Sequence, residues 1–518
     1  MHTMSSVGIA DLLRVNATHF PDRVSLLSDD REFTFAESYQ RINSVASRLR
    51  NLGVNRGTRV ALFATDSIEY IEILLACMKL GAVYVPLNYK LSRDELAALL
   101  NAAEAQVLFV SHQYGEMVSD VRAAVPTLRL AIGIDFDELD LVYADLLRSG
   151  PVEDIRVEVA DEDLVGLCFT SGTTTRPKGV LHSQRFTKTL MYQTIIERRI
   201  QPGTLHYSAA PLFHVAGMFY CLAGIARGYS SLVLPSFDPA KVVEWMRSGR
   251  ISGCFLVPTM ISSLLQQPAV RHADFSAVTS IAYGGSPMSP SLLQRAMGTF
   301  DCDFINMFGA GTEAGFQCIL SPEDHKRALA GHPHLLKSIG RPSISVELRL
   351  CDDNFVDVEL GAVGEIVTRS DGIMSGYLNM PDETDRVLVD GWFRGGDAAW
   401  MDAEGYLYLS GRRKDMIIRG GENIYPIEIE TILTAFPGVL EAAVIGVQDE
   451  HWGEIVCACL VLESPGSFNE AETKAWCRSH LAAFKVPQEF RLYSELPKNA
   501  SGKVLKRELR QLASTTTR

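Results

Sequence analysis

The first half of this chain alternates short apolar runs with segments of helical periodicity, and this alternation limits the folds that it can adopt. Leu164 to Phe169 and Gln106 to Val110 have the length and apolar character of buried strands. Upstream of both, Ser67 to Lys79 places apolar residues at helical spacing and is followed by Gly81. Strand–helix alternation predicts α/β layers whose sheets are largely parallel.

Local signals support the same fold class. Ser92-Arg93-Asp94-Glu95 is a capping box that predicts a helix extending through Leu100. Short strands with turns follow in residues 346–368 and 406–409, and they predict a small β subdomain. Further strands are predicted at Cys254 to Val257, Val278 to Tyr283 and Phe304 to Phe308.

A polar, charged break at Gly411-Arg412-Arg413-Lys414-Asp415 predicts a domain boundary. We assign residues 1–412 to an N-terminal domain and residues 413–518 to a mobile α+β C-terminal domain, with a hinge near Lys414. In the second domain the predicted elements are strands at Glu441 to Val447, Ile455 to Leu462 and Glu489 to Leu492 and a helix at Asn469 to Ala483.

Composition excludes several classes of protein. With 47% hydrophobic and 21% charged residues the chain is typical of a soluble globular protein, and its net charge of -13 argues against nucleic-acid binding. The ten scattered cysteines and the lack of a signal peptide predict a cytoplasmic protein without structural zinc. The apolar stretch Ala209 to Ala226 contains Pro211, His214 and two glycines, so we interpret it as buried core and expect no membrane span.

The loop Thr170-Ser171-Gly172-Thr173-Thr174-Thr175-Arg176-Pro177-Lys178-Gly179 follows a predicted strand. Its hydroxyls, backbone N–H groups and lysine are donors that suit a polyphosphate. Because the lysine precedes the last glycine, the loop is not the P-loop of nucleoside triphosphatases. Taken alone, such a loop is more often a plain connection.

Seven further motifs follow in a fixed order. They are Pro211-Leu212-Phe213-His214-Val215-Ala216-Gly217, Tyr283-Gly284-Gly285-Ser286-Pro287, Phe308-Gly309-Ala310-Gly311-Thr312-Glu313, Gly391-Trp392-Phe393-Arg394-Gly395-Gly396-Asp397, Gly411-Arg412-Arg413-Lys414-Asp415, Arg419-Gly420-Gly421-Glu422-Asn423-Ile424-Tyr425-Pro426 and Pro497-Lys498-Asn499-Ala500-Ser501-Gly502-Lys503. With the loop, this set closely resembles the adenylate-forming superfamily, specifically its acyl-CoA ligases, over essentially the whole chain.

The resemblance implies a two-step reaction with ATP, coenzyme A and Mg²⁺. A carboxylate attacks the α-phosphate of ATP and releases pyrophosphate, and the thiol of CoA then attacks the acyl-adenylate and releases AMP. Charge develops on oxygen in both steps, so preorganised donors and cations are expected to dominate catalysis.

The resemblance also implies the roles of the nucleotide-binding residues. Thr312 would bond the α-phosphate, and Glu313 would hold Mg²⁺. The phosphates would be bound by Thr170, Ser171, Gly172, Thr173, Thr174 and Lys178. The adenine would be bound by Gly284, Gly285 and Phe308, and the ribose by Asp397 and Arg412.

Residues for the second step follow in the same way. Lys503 would enter the site for adenylation and leave it for thioester formation, with Lys414 as the pivot. Gly420 and Gly421 would line the pantetheine tunnel, and His214 would mark the point where this tunnel meets the acyl pocket. Alone, each of these residues would more often be structural.

The acyl pocket is expected to be apolar or lined by very small residues, which favours a hydrophobic, bulky carboxylic acid over an amino acid or acetate. The residues expected to line it include Phe213, Met218, Phe219, Val257, Gly309 and Gly311.

Two motifs depart from the family pattern. Thr175 stands where the family usually has glycine, and a β-branched residue tolerates positive φ poorly. Between Phe308 and Thr312 there is one residue more than the family pattern aromatic-Gly-x-Thr-Glu contains. An extended residue adds about 3.3–3.6 Å, whereas Mg²⁺ requires about 2.0–2.1 Å to its oxygens. Unless the loop bulges, Glu313 and Phe308 cannot both keep their places.

These departures leave several functions open. Adenylation is either normal or weakened, and in the second case a partner adenylating enzyme would supply the acyl-adenylate for thioester formation. Three further functions fit the same motifs, namely a stand-alone enzyme that loads a carrier protein, a luciferase-like oxygenase and an AMP-binding pseudoenzyme.

Overall fold

The computed structural model describes residues 7–148, 154–170, 177–412, 415–420, 422–449, 451–464, 466, 468–498 and 504–515. The strands are β1 (Val24–Leu27), β2 (Glu32–Thr34), β3 (Arg59–Phe63), β4 (Val83–Pro86), β5 (Val107–Val110), β6 (Leu130–Gly133), β7 (Leu141–Val142), β8 (Leu164–Phe169), β9 (Gly179–Ser183), β10 (Leu205–Ser208), β11 (Ser230–Leu232), β12 (Ile251–Leu256), β13 (Ser280–Gly284), β14 (Asp303–Phe308), β15 (Cys318–Leu320), β16 (Arg341–Pro342), β17 (Glu347–Cys351), β18 (Gly364–Arg369), β19 (Gly376–Tyr377), β20 (Leu388–Val389), β21 (Trp392–Met401), β22 (Leu407–Arg412), β23 (Ile417–Arg419), β24 (Glu422–Ile424), β25 (Val439–Asp449), β26 (Gly453–Leu462) and β27 (Glu489–Tyr493). The helices are α1 (Ile9–His19), α2 (Phe35–Asn51), α3 (Ile68–Leu80), α4 (Arg93–Ala102), α5 (Val118–Ala124), α6 (Tyr143–Leu147), α7 (Gln184–Glu197), α8 (Val215–Arg227), α9 (Pro239–Arg247), α10 (Pro258–Leu265), α11 (Pro290–Phe300), α12 (Gly311–Ala314), α13 (Pro322–Leu329), α14 (Pro381–Val387), α15 (Pro426–Thr434), α16 (Glu470–His480) and α17 (Lys506–Thr515).

Two large sheets carry most of the N-terminal domain. The nine-stranded sheet has the order β16-β15-β14-β13-β12-β10-β11-β1-β2, and the eight-stranded sheet has the order β19-β9-β8-β4-β3-β5-β6-β7. Neighbouring strands from β14 to β1 in the first sheet and from β8 to β7 in the second are parallel. The antiparallel pairs lie at the edges of the two sheets. The largely parallel α/β fold is therefore confirmed.

The core of this domain forms where helices pack against these sheets. The largest buried cluster joins side chains of α1, α2, α3, α7 and α8 to residues of β3 and β5. All four residues of β5 are buried, as expected for a parallel strand that is covered on both faces. The predicted helix after Ser67 and the predicted strands at Gln106 to Val110 and Leu164 to Phe169 are confirmed as α3, β5 and β8. Burial between layers removes their apolar side chains from water, which stabilises this arrangement.

Two smaller sheets complete the fold. The strands β17, β18, β20, β21 and β22 form an antiparallel sheet, which is the predicted β subdomain. The strands β23 to β27 form the sheet of the C-terminal α+β domain, with its own apolar core around α15 and α16.

Local capping signals in the sequence act as expected. The Ser92 hydroxyl accepts a hydrogen bond from the Glu95 N–H, and the Glu95 carboxylate accepts one from the Ser92 N–H at 2.8 Å. Gly81 ends α3 in the left-handed conformation, at φ 65°. The apolar stretch after Ala209 contains α8, a buried helix of 13 residues. Within the described ranges, no helix combines the length and the apolar character that crossing a bilayer demands.

Candidate active site

The loop from Thr170 to Gly179, which we call the phosphate loop after its predicted role, joins the antiparallel strands β8 and β9. The Thr170 N–H donates to the Lys178 carbonyl at 2.9 Å, and the Lys178 N–H donates to the Thr170 hydroxyl at 3.2 Å. The Lys178 ammonium pairs with Glu383 of α14 and lies 4.7 Å from the centre of the Tyr377 ring. Lys178 must therefore exchange Glu383 for a phosphate if it binds the nucleotide. Ser171, Gly172, Thr173, Thr174 and Thr175 lie outside the described residues.

The additional residue after Phe308 is absorbed by a turn of helix. The chain coils into α12, and the Glu313 N–H donates to the Ala310 carbonyl at 2.6 Å. A helical residue rises only about 1.5 Å, less than half the rise of an extended residue. The residues after Phe308 are therefore coiled, so each of them advances the chain less than an extended residue would.

Two contacts close this loop. The Gln317 side chain accepts a hydrogen bond from the Ala310 N–H at 3.2 Å, and the Gln317 N–H donates to the Phe308 carbonyl at 2.8 Å. A Cβ on Gly309 would lie 2.0 Å from the Gly315 carbonyl oxygen, so only glycine fits there. The predicted pocket residue Gly309 consequently serves to close the loop.

His182 of β9 fixes the position of Thr312, a role that no sequence motif indicated. Its Nε2 lies 2.8 Å from the Thr312 carbonyl oxygen. Because a carbonyl only accepts, Nε2 carries the proton. The ring is fully buried and stacks on Phe186 at 4.1 Å between centroids, and burial lowers the pKa of His182 to about 4. A neutral imidazole thus joins the strand after the phosphate loop to the Thr312–Glu313 turn.

Glu313 is a carboxylate without a salt-bridge partner among the described residues. Burial raises its pKa to about 7, although the charges of Arg412 and Lys178 act in the opposite direction. The Tyr377 hydroxyl approaches its Oε1 at 3.5 Å, which is too long for a strong hydrogen bond. The Glu313 carboxyl therefore gains and loses its proton near neutral pH.

Asp397 and Arg412 face each other across β21 and β22, which pair them in register. The Arg412 Nε donates to the Asp397 Oδ1 at 3.1 Å, and the two side chains are 16% (Asp397) and 34% (Arg412) exposed. Since the Arg412 charge also reaches Glu313, the predicted ribose and phosphate residues lie in one neighbourhood.

His214 is the residue before α8, and burial lowers its pKa. The adjacent Leu212 N–H donates to the Asp66 carboxylate at 2.9 Å. A Cβ on Gly311 would lie 3.1 Å from Val215 Cγ2, so the first turn of α8 lies beside α12. His214, the residue before Val215, therefore directly precedes the helical turn that contacts α12.

The strand ends carry the other predicted adenine and acyl residues. Gly284 and Phe308 end β13 and β14, and Val257 directly follows β12. Gly285 follows Gly284 at φ 81°. Phe308 packs toward the core that the nine-stranded sheet shares with the β subdomain. The carboxyl ends of parallel strands are the usual binding edge of such a sheet.

The structure shows on which face of α8 the expected pocket residues lie. Met218 and Phe219 are 2% and 1% exposed and belong to the core on the other face of α8. The face of α8 that packs on β12, β13 and β14 presents Ala216 and Tyr220 instead. Phe213 contacts Tyr89 edge to face, with 5.4 Å between ring centroids. Helical periodicity alone did not reveal which face of an almost uniformly apolar helix meets the strands.

In the C-terminal domain, Gly420 has φ 57°, and its N–H donates to the Trp452 carbonyl at 2.8 Å. A Cβ on Gly420 would lie 2.8 Å from the Trp452 ring. Close packing on Trp452 thus requires glycine. The remaining predicted residues of the second step, Lys414, Gly421 and Lys503, lie outside the described residues.

Comparison with known proteins identifies the family of the chain. Residues 13–378 match the model of the AMP-binding enzyme family, and residues 428–503 match that of the AMP-binding enzyme C-terminal domain. The chain is 35% identical to a feruloyl-CoA synthase of an Amycolatopsis species, over 92% of this chain and 93% of that protein. It is 32% identical to a fatty acid–acyl-carrier-protein ligase of Streptomyces coeruleorubidus, over 96% of this chain and 94% of that protein.

Among solved structures, ATP-bound MatB from Rhodopseudomonas palustris superposes with a TM-score of 0.90 at 26% identity, covering 99% of this chain and 100% of that one. The family model spans well over half of the sequence, and the relatives extend over nearly all of it. The chain therefore belongs to the AMP-binding family of adenylate-forming enzymes, which includes acid–thiol ligases.

Proposed function

We propose that this protein joins a hydrophobic carboxylic acid to coenzyme A through an acyl-adenylate. The observation that carries the proposal is the grouping of Glu313, Arg412, Asp397 and Lys178 beside the Thr312 turn. A lone carboxylate, two cations and a paired acceptor are the groups that a nucleotide triphosphate requires at its metal, phosphates and ribose.

In the first step, a carboxylate oxygen of the substrate attacks the α-phosphorus of ATP, and the bond to pyrophosphate breaks. Lys178, once released from Glu383, neutralises phosphate charge, and the Thr312 hydroxyl donates to the α-phosphate. The His182 hydrogen bond holds this turn in place before substrate arrives. Preorganised donors of this kind lower the barrier because they need no rearrangement during the reaction.

Glu313 fits the role of a magnesium ligand. It supplies a hard oxygen donor, and no cluster of three or more acidic, histidine or cysteine side chains is found in the described parts of the chain. Mg²⁺ commonly takes one or two carboxylates and completes its shell with water and phosphate oxygens. When bound with ATP, the ion would neutralise charge on the phosphates.

In the second step, the CoA sulfur attacks the acyl carbon, and AMP leaves with the electrons of the broken C–O bond. We assign Gly420 and Gly421 to the pantetheine path, His214 to its end, and Lys414 and Lys503 to the pivot and to the lysine that alternates between the steps. The boundary at residues 412–413 and the hinge at Lys414 remain part of this proposal.

Adenylation is proposed to be intact. The helical turn that absorbs the additional residue, and the His182 contact that fixes Thr312, favour this over weakened adenylation with a partner enzyme. Adenylation, and with it the whole reaction, is tested by offering the purified protein an acid panel with ATP and Mg²⁺, and separately preformed acyl-AMP with CoA. Turnover in both assays supports the proposal. Turnover of acyl-AMP alone supports supply by a partner enzyme, and turnover in neither supports an AMP-binding pseudoenzyme.

Loading of a carrier protein is the second candidate, because the Streptomyces relative is named a fatty acid–acyl-carrier-protein ligase. The acceptor is decided by offering acyl-AMP with CoA and with a phosphopantetheinylated carrier protein in parallel. The same reaction mixtures, analysed for oxygen consumption, test for a luciferase-like oxygenase.

A further inference from the structure

A buried arginine without an anionic partner lies between α8 and the nine-stranded sheet. Arg198, directly after α7, is 3% exposed. Its Nη2 donates to the Tyr220 hydroxyl at 2.6 Å and to the Cys254 carbonyl at 3.0 Å. Its Nε and Nη1 have no hydrogen-bond partner among the described residues. Such a cation is costly to bury unless an anion completes its shell.

The groups around Arg198 supply no negative charge. Arg198 donates to Tyr220, whose hydroxyl lies 3.1 Å from His206 Nδ1, and His206 Nε2 lies 2.8 Å from the Thr204 hydroxyl. The Thr204 hydroxyl then donates to the Gln201 carbonyl at 2.7 Å. A chain in which each group donates to the next satisfies all of these contacts with His206 neutral.

Titration does not supply an anion either. Burial and the Arg198 charge lower the pKa of His206 far below its ordinary value, which keeps the ring neutral. Burial raises the pKa of the Tyr220 hydroxyl, and it raises the pKa of the Cys254 thiol to about 12. The Arg198 cluster, which we define as Arg198, Tyr220, His206 and Cys254, therefore contains no anion that could pair with Arg198, whose guanidinium lies 4.1 Å from the centre of the Tyr220 ring.

The Arg198 cluster lies on the inner side of the candidate active site. Tyr220 packs with Ala216, Phe255, Ala282, Ile305 and Met307 in one cluster of side chains from α8, β12, β13 and β14. Ala216 and Tyr220 are four residues apart and so share one face of α8. The same three strands end at Val257, Gly284 and Phe308, where the acyl-adenylate is placed by the proposed function.

Two spacings along the chain give the distance from the Arg198 cluster to residues predicted for the candidate active site. Cys254 lies three residues before Val257 along an extended chain, which corresponds to about 10 Å. Tyr220 lies six residues after His214 along a helix, which corresponds to about 9 Å. A substrate reaching from the strand ends to Arg198 passes Ala282, which is small, and Met307, whose flexible side chain can be displaced.

We propose that Arg198 is the distal anchor of the acyl pocket and selects a carboxylic acid that carries a second carboxylate at its far end. The inference rests on the proposed function and narrows it from hydrophobic acids to dicarboxylic acids of medium length. The second carboxylate would accept hydrogen bonds from Arg198 and neutralise its charge. The apolar side chains between α8 and the strands would contact the part of the substrate between its two carboxylates.

The test compares octanedioic acid, its monomethyl ester and octanoic acid as substrates, with pyrophosphate release and acyl-CoA formation as readouts. The wild-type protein is expected to prefer the diacid over both monoacids about ten- to a hundredfold in kcat/KM, as for a hydrogen-bonded charge. Arg198→Met should abolish this preference and leave octanoic acid turnover within a few-fold, whereas Arg198→Lys should keep part of it. Arg199→Met is the matched control, because the Arg199 side chain is 59% exposed and pairs with Glu323 at the surface.

The outcomes separate the two proposals. Turnover of octanoic acid or the ester at least as efficient as that of the diacid overturns the role of Arg198 but leaves the ligase intact. An equal loss for all three acids in a folded Arg198→Met protein assigns Arg198 a purely structural role. If the variants do not fold, the comparison of octanedioic acid with its monomethyl ester in the wild-type protein still tests the role of Arg198. The absence of activity with every acid, including further hydrophobic monoacids, would instead refute the proposed function.

Discussion

Replacing His182 tests whether the Thr312 turn is held by one buried hydrogen bond. His182→Leu removes the donor and leaves the Thr312 carbonyl without its partner at 2.8 Å. An unsatisfied buried acceptor costs about 1–3 kcal/mol. If the turn moves to recover that energy, we expect ATP-dependent pyrophosphate release to fall about ten- to a hundredfold. His182→Gln is the matched control, because its amide can donate over a similar reach without titrating.

The same variants test the cause of the pKa shift. Because the pKa of His182 is lowered from 6.5 to about 4 in the folded protein, the neutral ring contributes stability that is present above pH 6.5. That stability is lost as the pH falls from 6.5 to about 4, by up to about 3 kcal/mol. Neither variant can bind this proton, so both should lose less stability than the wild type in this range, by about 2 kcal/mol at pH 5.

The assay pairs activity with thermal stability. Pyrophosphate release and thioester formation from acyl-AMP are measured at pH 7.5, and melting temperatures at pH 7.5 and pH 5. Equal pyrophosphate release by the Leu and Gln variants would refute the positioning role of the hydrogen bond. Variants that remain as acid-labile as the wild type would refute the argument that His182 is buried in its neutral form.

Three further predictions concern the nucleotide site. Because the pKa of Glu313 is raised to about 7, the concentration of Mg²⁺ needed for adenylation should rise up to about tenfold for each pH unit below 7 and level off above pH 7. Glu313→Gln should lose both the activity and this dependence on pH. A wild-type Mg²⁺ requirement that does not change with pH would contradict the assignment of Glu313. Asp397→Asn removes the negative charge that pairs with Arg412 and one of the two acceptor oxygens, and it should raise the KM for ATP about tenfold or more. An unchanged KM would count against a role in ribose binding. Deleting Ala310 removes the bonds to Gln317 and Glu313 and should lower pyrophosphate release, whereas an increase would show that the additional residue impairs adenylation.

The sequence predicted those parts of the molecule that depend on near neighbours in the chain. The Ser92 capping box and the stop at Gly81 are decided within a few residues by hydrogen bonds and by backbone sterics. The buried strands are also evident in the sequence, because a strand covered on both faces is a continuous apolar run. The order of the motifs was sufficient to indicate the family.

The contacts between distant segments could not be predicted in this way. His182 meets Thr312 across 130 positions of sequence, and Arg198 meets Cys254 across 56. Neither residue stands in a motif, and a lone histidine or arginine beside a helix is usually structural. Met218 was assigned to the pocket because almost all of α8 is apolar, so that hydrophobicity did not distinguish its two faces.

The amino-acid sequence by itself thus determined the layered α/β fold and the family, because these follow from local periodicity and from motifs. Only the tertiary structure decided how the chain coils after Phe308, which face of α8 meets the strands, and that the buried Arg198 guanidinium has two nitrogens without a hydrogen-bond partner among the described residues. Burial and electrostatic pairing depend on all the elements that surround a side chain, and no segment of sequence contains that information alone.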